Sequence, residues 1–273
     1  MTDLNPKISI VTTVYNGDAF LNDTLESLFQ QDETDFEIIV VDDGSTDKTA
    51  EILAEWAQSH PRLRVFSSDH VGRVDALNEA LGYARGKYVA ISDADDLYRS
   101  DRLRIQSAFL DAHTDVGMVG SFAKTINETG EETGVIITAP TTHDEIVNIM
   151  IRYNPFVHSS VMYRHDVLDE VGEYSNRFIP GFEWEMYTKV IQRSKVANLP
   201  EQLVSYRRYS SSQTFRRSKL KRLCGVTRAR WFVFRTLDYR WAHVPEVFMG
   251  LLDLLPEGAR KWLATRASKR DRR

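Results

Sequence analysis

The sequence predicts an α/β protein in which a mostly parallel, doubly wound sheet is flanked by helices. Two observations support this prediction. Apolar, β-branched runs without a polar face occur at 8–14 and 36–41, as in strands buried on both faces of a parallel sheet. Helical spacing follows each run, and tight loops join the elements in the order β-α-β-α-β-α-β. We expect this α/β domain over 1–210 and a C-terminal helical extension over 211–273.

The individual elements follow from the spacing of apolar residues. Strands are predicted at 8–14, 36–41, 64–66, 87–91, 117–122 and 156–163, with a hairpin over 125–137 and an extended segment over 199–207. Helices are predicted at 19–30, 48–58, 74–84, 103–110, 143–152, 165–171 and 181–191. In the extension, a helical segment is predicted from about 211 that includes Trp231, Phe232 and Phe234, followed by helices at 247–255 and 261–266.

Composition limits the class of protein. The hydrophobic share of 42% and the charged share of 27% are typical of a soluble globular protein. A net charge of −4 argues against a general nucleic-acid partner. The single cysteine, Cys224, excludes an intramolecular disulfide and fits a reducing compartment. Because the sequence shows neither a signal peptide nor an apolar run long enough to span a bilayer, we expect a cytoplasmic protein.

A cluster of carboxylates follows the fourth predicted strand. Asp93, Asp95 and Asp96 lie within four residues, and alternation along an extended chain lets Asp93 and Asp95 point to the same side. Converging carboxylates repel each other unless a cation lies between them, and Mg²⁺ prefers oxygen ligands together with substrate phosphates. The alternative is a solvated acidic turn that caps the next helix.

Polar loops also follow the first two strands, at 13–17 and 42–47. In a doubly wound sheet, ligands bind beyond the carboxyl ends of the strands. Because all three loops follow strands, the sequence predicts a ligand site at this edge of the sheet.

Three motifs in these loops occur in a recognisable order. They are Ser9-Ile10-Val11-Thr12-Thr13-Val14-Tyr15-Asn16-Gly17, Val41-Asp42-Asp43-Gly44-Ser45-Thr46-Asp47 and Ser92-Asp93-Ala94-Asp95-Asp96. Together they closely resemble the successive signatures of family-2 glycosyltransferases with the Rossmann-like GT-A fold, over roughly 7–210. The resemblance implies inverting transfer of a sugar from a nucleoside-diphosphate-sugar donor to a hydroxyl acceptor, in polysaccharide, glycolipid or glycan assembly.

The resemblance also implies donor-binding roles for several residues. Thr13 and Tyr15 would hold the nucleotide base, and Asp42 would accept a hydrogen bond from it. Uridine is the commonest base in the family, so UDP is the expected nucleotide. Arg73 would reach the base or a phosphate, unless it is a solvated arginine at the start of a helix. Asp43, beside Asp42, also suits a simple turn.

In the family, the carboxylate cluster binds the ribose and a divalent ion, Mg²⁺ or Mn²⁺, on the diphosphate. Asp95 is the first candidate for the metal, followed by Asp93 and Asp96. The ion would neutralise the charge that develops on the leaving nucleoside diphosphate.

An inverting transfer needs a base for the acceptor hydroxyl. Aligning the aromatic residue of the family's base motif on Trp184 places Glu183 at the usual aspartate, so Glu183 is the catalytic candidate and Glu185 the alternative. Both glutamates are also suited to the positive end of a helix dipole, which is a purely structural role.

Two further residues are candidates through the resemblance. His158 would face the donor sugar or the acceptor, or else be a hydrogen-bonded, half-buried histidine. Arg207 would contact the diphosphate, in a segment where Tyr209 replaces the family's usual histidine.

The extension is basic and carries aromatic residues, among them Arg228, Trp231 and Phe232. Such helices can lie on an anionic inner membrane surface, which would suit a lipid-linked rather than a free glycan acceptor. They can equally pack on the core or form a homodimer. Two rival functions are a non-catalytic nucleotide-sugar binding protein and a nucleotidyltransferase; the second would need a basic, glycine-rich phosphate loop, which 12–18 lacks.

Overall fold

The computed structural model describes residues 5–209 and 219–248. The strands are β1 Ile8–Val14, β2 Phe36–Asp42, β3 Leu63–Ser67, β4 Tyr88–Asp93, β5 Leu97–Tyr98, β6 Val116–Ile126, β7 Glu132–Ile137, β8 Met162–Arg164 and β9 Lys195–Arg207. The helices are α1 Leu21–Phe29, α2 Thr49–Ser59, α3 Arg73–Gly82, α4 Arg102–Ala112, α5 His143–Ile149, α6 His165–Val171, α7 Phe182–Ile191, α8 Lys219–Thr236 and α9 Val244–Val247. Short 3₁₀ helices lie at His158–Ser160, Asn176–Phe178 and Trp241–His243.

One mixed sheet organises these elements, in the order β3-β2-β1-β4-β8-β6-β9-β5, and β7 pairs with β6. The strands β3, β2, β1 and β4 are mutually parallel. The short strand β8 is antiparallel to both β4 and β6, and β6 is parallel to β9. The predicted α/β class, with a largely parallel sheet flanked by helices, is confirmed.

Hydrophobic cores cover both faces of the parallel strands, which explains why β1 and β2 lack a polar face. On one face, Ile10 and Ile38 pack with Leu25 of α1. On the other, Val11 and Ile39 pack with residues of α3 and α7. Alternate residues of each strand therefore face different cores, and the strands between them are fixed in position.

The close approach of the chain before β4 requires a glycine at Gly86. A Cβ atom there would lie 2.5 Å from the Ser9 nitrogen and 2.7 Å from the Ile8 carbonyl carbon. Both atoms belong to the backbone of β1, which cannot move without shifting the centre of the sheet.

We expect Gly86→Ala to lower the free energy of unfolding by about 3 kcal/mol, the upper part of the range for overpacking. The matched control is Gly82→Ala on α3, where a Cβ atom would meet no atom within 4 Å. Urea unfolding measures both variants. Equal stability of the two variants would contradict this account of the Gly86 contact.

The predicted strand over 156–163 is wrong in most of its length. The chain forms the 3₁₀ helix His158–Ser160 and joins the sheet only at Met162–Arg164. The reason is local hydrogen bonding: the Ser160 hydroxyl donates to the Val157 carbonyl, which also accepts from the Ser160 N–H. These bonds compete with a sheet ladder. Phe156 and Val161 are therefore buried outside the strand β8.

Other elements differ from prediction at their ends. Helix α5 stops at Ile149 rather than at residue 152, and β9 begins four residues before the predicted extended segment. The predicted helix over 247–255 overlaps the described residues only at its start, where α9 ends at Val247, and the helix predicted at 261–266 lies outside them.

Helix α8 of the C-terminal extension packs on α7. Ala229, Val233 and Phe234 are buried in the same core as Trp184. Gly225 lies so close to Pro180 that a Cβ atom would approach the proline nitrogen to 2.8 Å. Among the described helices, none is long and apolar enough to cross a membrane. Membrane contact and a homodimer stay predictions.

Candidate active site

The parallel register brings the three polar loops to one edge of the sheet. In the pairing of β1, Val14 lies opposite Asp42 and Thr13 lies opposite Asp93. The Asp43 N–H also donates to the Val14 carbonyl at 2.8 Å, which extends the pairing past the strand ends. The predicted site residues on these strands are thus brought together by main-chain hydrogen bonds.

Three carboxylates converge at this edge. Ligand oxygens of Asp93, Asp95 and Asp96 all lie within 4.8 Å of one another. Burial, followed by the charge of Asp93, raises the pKa of Asp95 above its ordinary value. Burial and the charges of Asp95 and Asp93 raise the pKa of Asp96 further. The ionised cluster therefore costs stability at neutral pH, a cost that a bound cation would remove.

Asp96 is the most enclosed of the three, at 1% exposure. Its Oδ2 accepts a hydrogen bond from Ser159 Oγ at 2.5 Å, and its Oδ1 accepts one from the Arg207 N–H at 2.8 Å. Through these two bonds, Asp96 connects the loop after β4 to the 3₁₀ helix at Ser159 and to the end of β9. These contacts give Asp96 a structural role, and metal binding by Asp96 stays a prediction.

Asp93 forms an ion pair with Arg73. The Arg73 Nη2 lies 2.7 Å from Asp93 Oδ1, and His158 Nδ1 lies 3.8 Å from the same oxygen. Burial alone would raise the pKa of Asp93, but Arg73 and then His158 bring it well below its ordinary range. Asp93 is accordingly the member of the cluster that stays ionised most readily.

Asp95 is the third member of the cluster, beside Asp93 and Asp96. Its Oδ2 accepts a hydrogen bond from the Tyr209 hydroxyl at 2.8 Å, and the Tyr209 ring packs against Phe20 with a centroid distance of 4.9 Å. Tyr209 is therefore a contact of the cluster and not merely a departure from a motif. The three carboxylates of the cluster lie close enough together to offer the oxygen ligands that Mg²⁺ and Mn²⁺ prefer. The residues present therefore fit such an ion.

Aromatic and acidic residues form the far end of the site. Tyr15 is 40% exposed, and its ring lies 4.2 Å from that of His70 between centroids, tilted by 35°. Asp42 uses Oδ1 to accept from the Ser45 N–H at 3.0 Å. Asp43 instead accepts from the Gly72 N–H at 3.0 Å, which fixes the loop before α3. The Asp43 carboxylate therefore joins the end of β2 to the loop before α3, which goes beyond the simple turn expected for it.

Helix α7 presents its two acidic residues to different surroundings. Glu183 is half-buried and makes no hydrogen bond or ion pair with the described residues. The charges of Asp93 and Glu183 raise the pKa of Arg73, and the Arg73 guanidinium lies 5.8 Å from the ring of the adjacent Phe182, so the start of α7 lies beside the Asp93–Arg73 pair. Glu185 is buried and pairs with Lys189 at 2.9 Å.

Arg73 links the carboxylate cluster to His158 and to the start of α7. Its guanidinium bonds Asp93, lies 3.4 Å from His158 Nδ1 and lies 5.8 Å from the centre of the Phe182 ring. His158 is 9% exposed and its Nε2 lies 3.4 Å from the Tyr174 hydroxyl. The half-buried, hydrogen-bonded interpretation describes His158, and a contact with the sugar stays a prediction.

Arg207 lies deeper than expected, with 1% of its side chain exposed. Its Nε donates to the Asp95 carbonyl at 2.8 Å and its Nη1 to the Glu128 carbonyl at 3.0 Å. These bonds join the carboxylate loop to the turn between β6 and β7. Contact with a diphosphate stays a prediction for Arg207.

Sequence reasoning missed two tyrosines. The Tyr98 hydroxyl accepts from the Asp93 N–H at 2.7 Å and donates to the Asp93 carbonyl at 3.0 Å, so it fixes the backbone of the cluster. Tyr174 supports His158 and bonds Tyr163 at 3.0 Å between their hydroxyls. The position of Tyr98, five residues after Asp93, was the available signal; no local pattern marks Tyr174.

Comparison with known proteins identifies the family. The family model described as glycosyl transferase family 2 matches residues 9–172, which include the three strand-end loops. The chain belongs to this family. An uncharacterized glycosyltransferase from Haemophilus influenzae is 30% identical over 211 residues, covering 74% of this chain and 65% of that protein. The aligned part thus spans just under two thirds of that relative.

Solved structures share the GT-A fold. The S. aureus protein TarS (1–349), solved in complex with UDP-GlcNAc, superposes with a TM-score of 0.70 at 20% sequence identity, covering 89% of this chain and 70% of that one. The mannosyltransferase PcManGT from Pyrobaculum calidifontis, in complex with GDP-Man and Mn²⁺, superposes with a TM-score of 0.61 at 19% identity, covering 97% and 81%. The predicted GT-A fold is therefore confirmed, and the chain is a family-2 glycosyltransferase.

Proposed function

We propose that this family-2 protein is a metal-dependent, inverting enzyme that moves a sugar from a nucleoside-diphosphate-sugar donor to a hydroxyl of a glycan or lipid-linked acceptor. The observation that carries the proposal is that the start of α7 lies beside the carboxylate cluster: the Arg73 guanidinium pairs with Asp93 at 2.7 Å and lies 5.8 Å from the ring of Phe182, the neighbour of Glu183. A metal-type carboxylate cluster and a carboxylate without a hydrogen-bond partner among the described residues thus lie close to each other. The UDP-GlcNAc bound by TarS and the GDP-Man and Mn²⁺ bound by PcManGT support a donor of this class.

Asp95 and Asp93 would hold the ion, which would be Mg²⁺ or Mn²⁺. When bound, such an ion supplies positive charge to the departing diphosphate. The protein's part is to fix the two carboxylates beforehand. Tyr98 fixes the backbone of Asp93, and Tyr209 and Arg73 each orient one carboxylate by a hydrogen bond.

The proposed base is Glu183. In an inverting transfer the acceptor hydroxyl attacks from the side of the sugar opposite the leaving group, so the base must stand away from the metal. Glu183 is proposed for this role because it lies in the first turn of α7, on a different element from the carboxylate cluster. Its oxygens accept no hydrogen bond from the described residues and are available to a hydroxyl proton.

Arg73 has a positioning role in this proposal. Its guanidinium is held by Asp93 at 2.7 Å and lies 5.8 Å from the ring of Phe182, the neighbour of Glu183. It would therefore keep the two negative regions from repelling each other and offer its remaining N–H groups to a donor phosphate.

The nucleotide base would lie at the opposite end of the site. Tyr15 has an exposed ring for stacking, and Asp42 keeps Oδ2 free of hydrogen bonds from the described residues. A carboxylate oxygen there suits a ring N–H donor such as that of uracil. UDP is accordingly the proposed nucleotide.

The inverting mechanism is tested by the anomer of the released sugar. With water as acceptor and Mn²⁺ present, we expect slow hydrolysis of an α-linked UDP-sugar to release the β-anomer first, because water takes the acceptor's place beside Glu183. Proton NMR follows the anomeric signals before mutarotation equalises them. Initial release of the α-anomer would contradict the inverting assignment and leave the nucleotide site standing.

A further inference from the structure

A cavity of about 850 Å³ lies beside α8, outside the site described above. It is formed by one face of α8, the 3₁₀ helix Asn176–Phe178 and Phe248, and we call it the α8 cavity. Its volume falls within the range of small-molecule binding sites. The proposed glycosyl transfer gives it no role.

The lining of the α8 cavity is mainly aromatic. Phe178, Trp231, Phe232 and Phe248 contribute their rings. Trp231 is 38% exposed and Phe248 is 42% exposed, so apolar surface remains open to solvent. The opposite face of α8, by contrast, is buried against α7. Helix α8 therefore has two apolar faces, only one of which is covered by the described residues.

Three arginines line the same cavity: Arg177, Arg228 and Arg235. All three are exposed, and none forms an ion pair with an acidic side chain of the described residues. Most other arginines near the sheet, such as Arg64 and Arg104, do have an acidic partner. The α8 cavity thus combines aromatic surface with three positive charges that have no acidic partner in the part of the chain that the structure describes. Its complement is an amphiphile with an apolar chain and an anionic head group.

The cavity is connected to the proposed base through a short segment. Phe178 lines the cavity, and Glu183 follows five residues later in the first turn of α7. Pro180 and Gly181 of this segment pack directly on Gly225 and Ala229 of α8. A molecule seated in the cavity would therefore lie against the segment that leads into Glu183.

We propose that the α8 cavity binds the phosphate-bearing lipid that carries the acceptor hydroxyl. Its hydrocarbon chain would pack on the aromatic residues and its phosphate would contact the arginines. This inference rests on the proposed function, because it names the class of acceptor that Glu183 would deprotonate. It also accounts for the exposed aromatic residues without a second protein partner.

The test uses single-chain probes below their micelle concentration. Calorimetric titration compares dodecyl phosphate with dodecyl maltoside, which has the same chain and no charge, and with inorganic phosphate, which has no chain. We expect dodecyl phosphate to bind at least about tenfold more tightly than either one. The double variant Arg228→Gln/Arg235→Gln should weaken dodecyl phosphate binding by about tenfold or more.

The matched control is Arg193→Gln, at an exposed arginine outside the lining, and it should leave binding within about twofold of the original. Glutamine keeps the helix propensity of arginine, and circular dichroism checks that α8 is intact. Equal binding of both dodecyl probes, equal losses in the two variants, or no binding because the chain's own residues 249–273 or a second copy fill the cavity would each overturn the proposal.

The two proposals can fail separately. Titration of UDP with Mn²⁺ should give the same affinity in the double variant as in the original protein, because the α8 cavity lies outside the donor site. If dodecyl phosphate binds and no nucleoside diphosphate does, the lipid site stands and its role as an acceptor site falls with the proposed function.

Discussion

Replacing Glu183 by glutamine is expected to reduce donor turnover by about 10²–10⁴-fold, the usual contribution of a general base. Glutamine keeps the shape of the side chain and removes its ability to take a proton. Donor affinity should stay within about twofold of the original, since Glu183 lies on α7 and not on the strand-end loops proposed to hold the donor. Release of nucleoside diphosphate measures turnover, and calorimetry measures binding.

The matched control is Glu185→Gln, two residues along the same helix. Glu185 is buried and paired with Lys189, so its replacement should lower stability and leave turnover per folded molecule nearly unchanged. The base assignment is wrong if Glu183→Gln keeps more than a tenth of the activity. Donor binding by the original protein without turnover would favour the rival interpretation, a non-catalytic nucleotide-sugar binding protein.

The second large effect concerns the neighbouring carboxylates Asp95 and Asp96. We expect Asp95→Asn to weaken metal-dependent binding of the nucleoside diphosphate by about 10²-fold, because it removes a charged oxygen ligand. Asp96→Asn should keep most of the binding. Its amide oxygen can still accept from the Arg207 N–H, and the Ser159 hydroxyl can turn to accept from its nitrogen.

The free energy of unfolding should distinguish the same two positions in the opposite sense, with the larger loss at Asp96. Asp96→Ala leaves the Arg207 N–H and the Ser159 hydroxyl without their acceptor, which should cost about 2 kcal/mol of unfolding free energy. Asp95→Ala loses one bond to a tyrosine and relieves repulsion within the cluster, so it should be nearly neutral without metal. Thermal unfolding with and without Mn²⁺ measures both. Identical behaviour of the two variants would contradict the division of roles.

Much of the fold could be predicted because its signals are local. The fully apolar runs of β1 and β2 reflect burial on both faces, and the polar loops after them mark the edge where ligands bind. The strand prediction over 156–163 failed because burial alone does not distinguish a strand from a 3₁₀ helix packed against the sheet. Hydrogen bonds from the Ser160 hydroxyl and N–H to the Val157 carbonyl decided between them.

The sequence could predict which residues belong to the candidate site, but not which contacts those residues make. Residues two apart on a helix point in nearly opposite directions, so the sequence implied that Glu183 and Glu185 differ without showing which one faces the site. Arg207 drew attention as a cation near the cluster, yet carbonyl groups of the turn between β6 and β7 surround it. That turn is distant in sequence, and no local pattern could have indicated the contact.

The most direct test of the central claim is calorimetric titration of the original protein with UDP, GDP, dTDP, ADP and CDP, each with and without Mn²⁺. We predict that one diphosphate, UDP, binds tightly and only when Mn²⁺ is present, since the crowded carboxylates need a cation before they can face a diphosphate. If no diphosphate binds in a metal-dependent way, the donor site is wrong, and Asp93, Asp95 and Asp96 form only an acidic turn between β4 and β5.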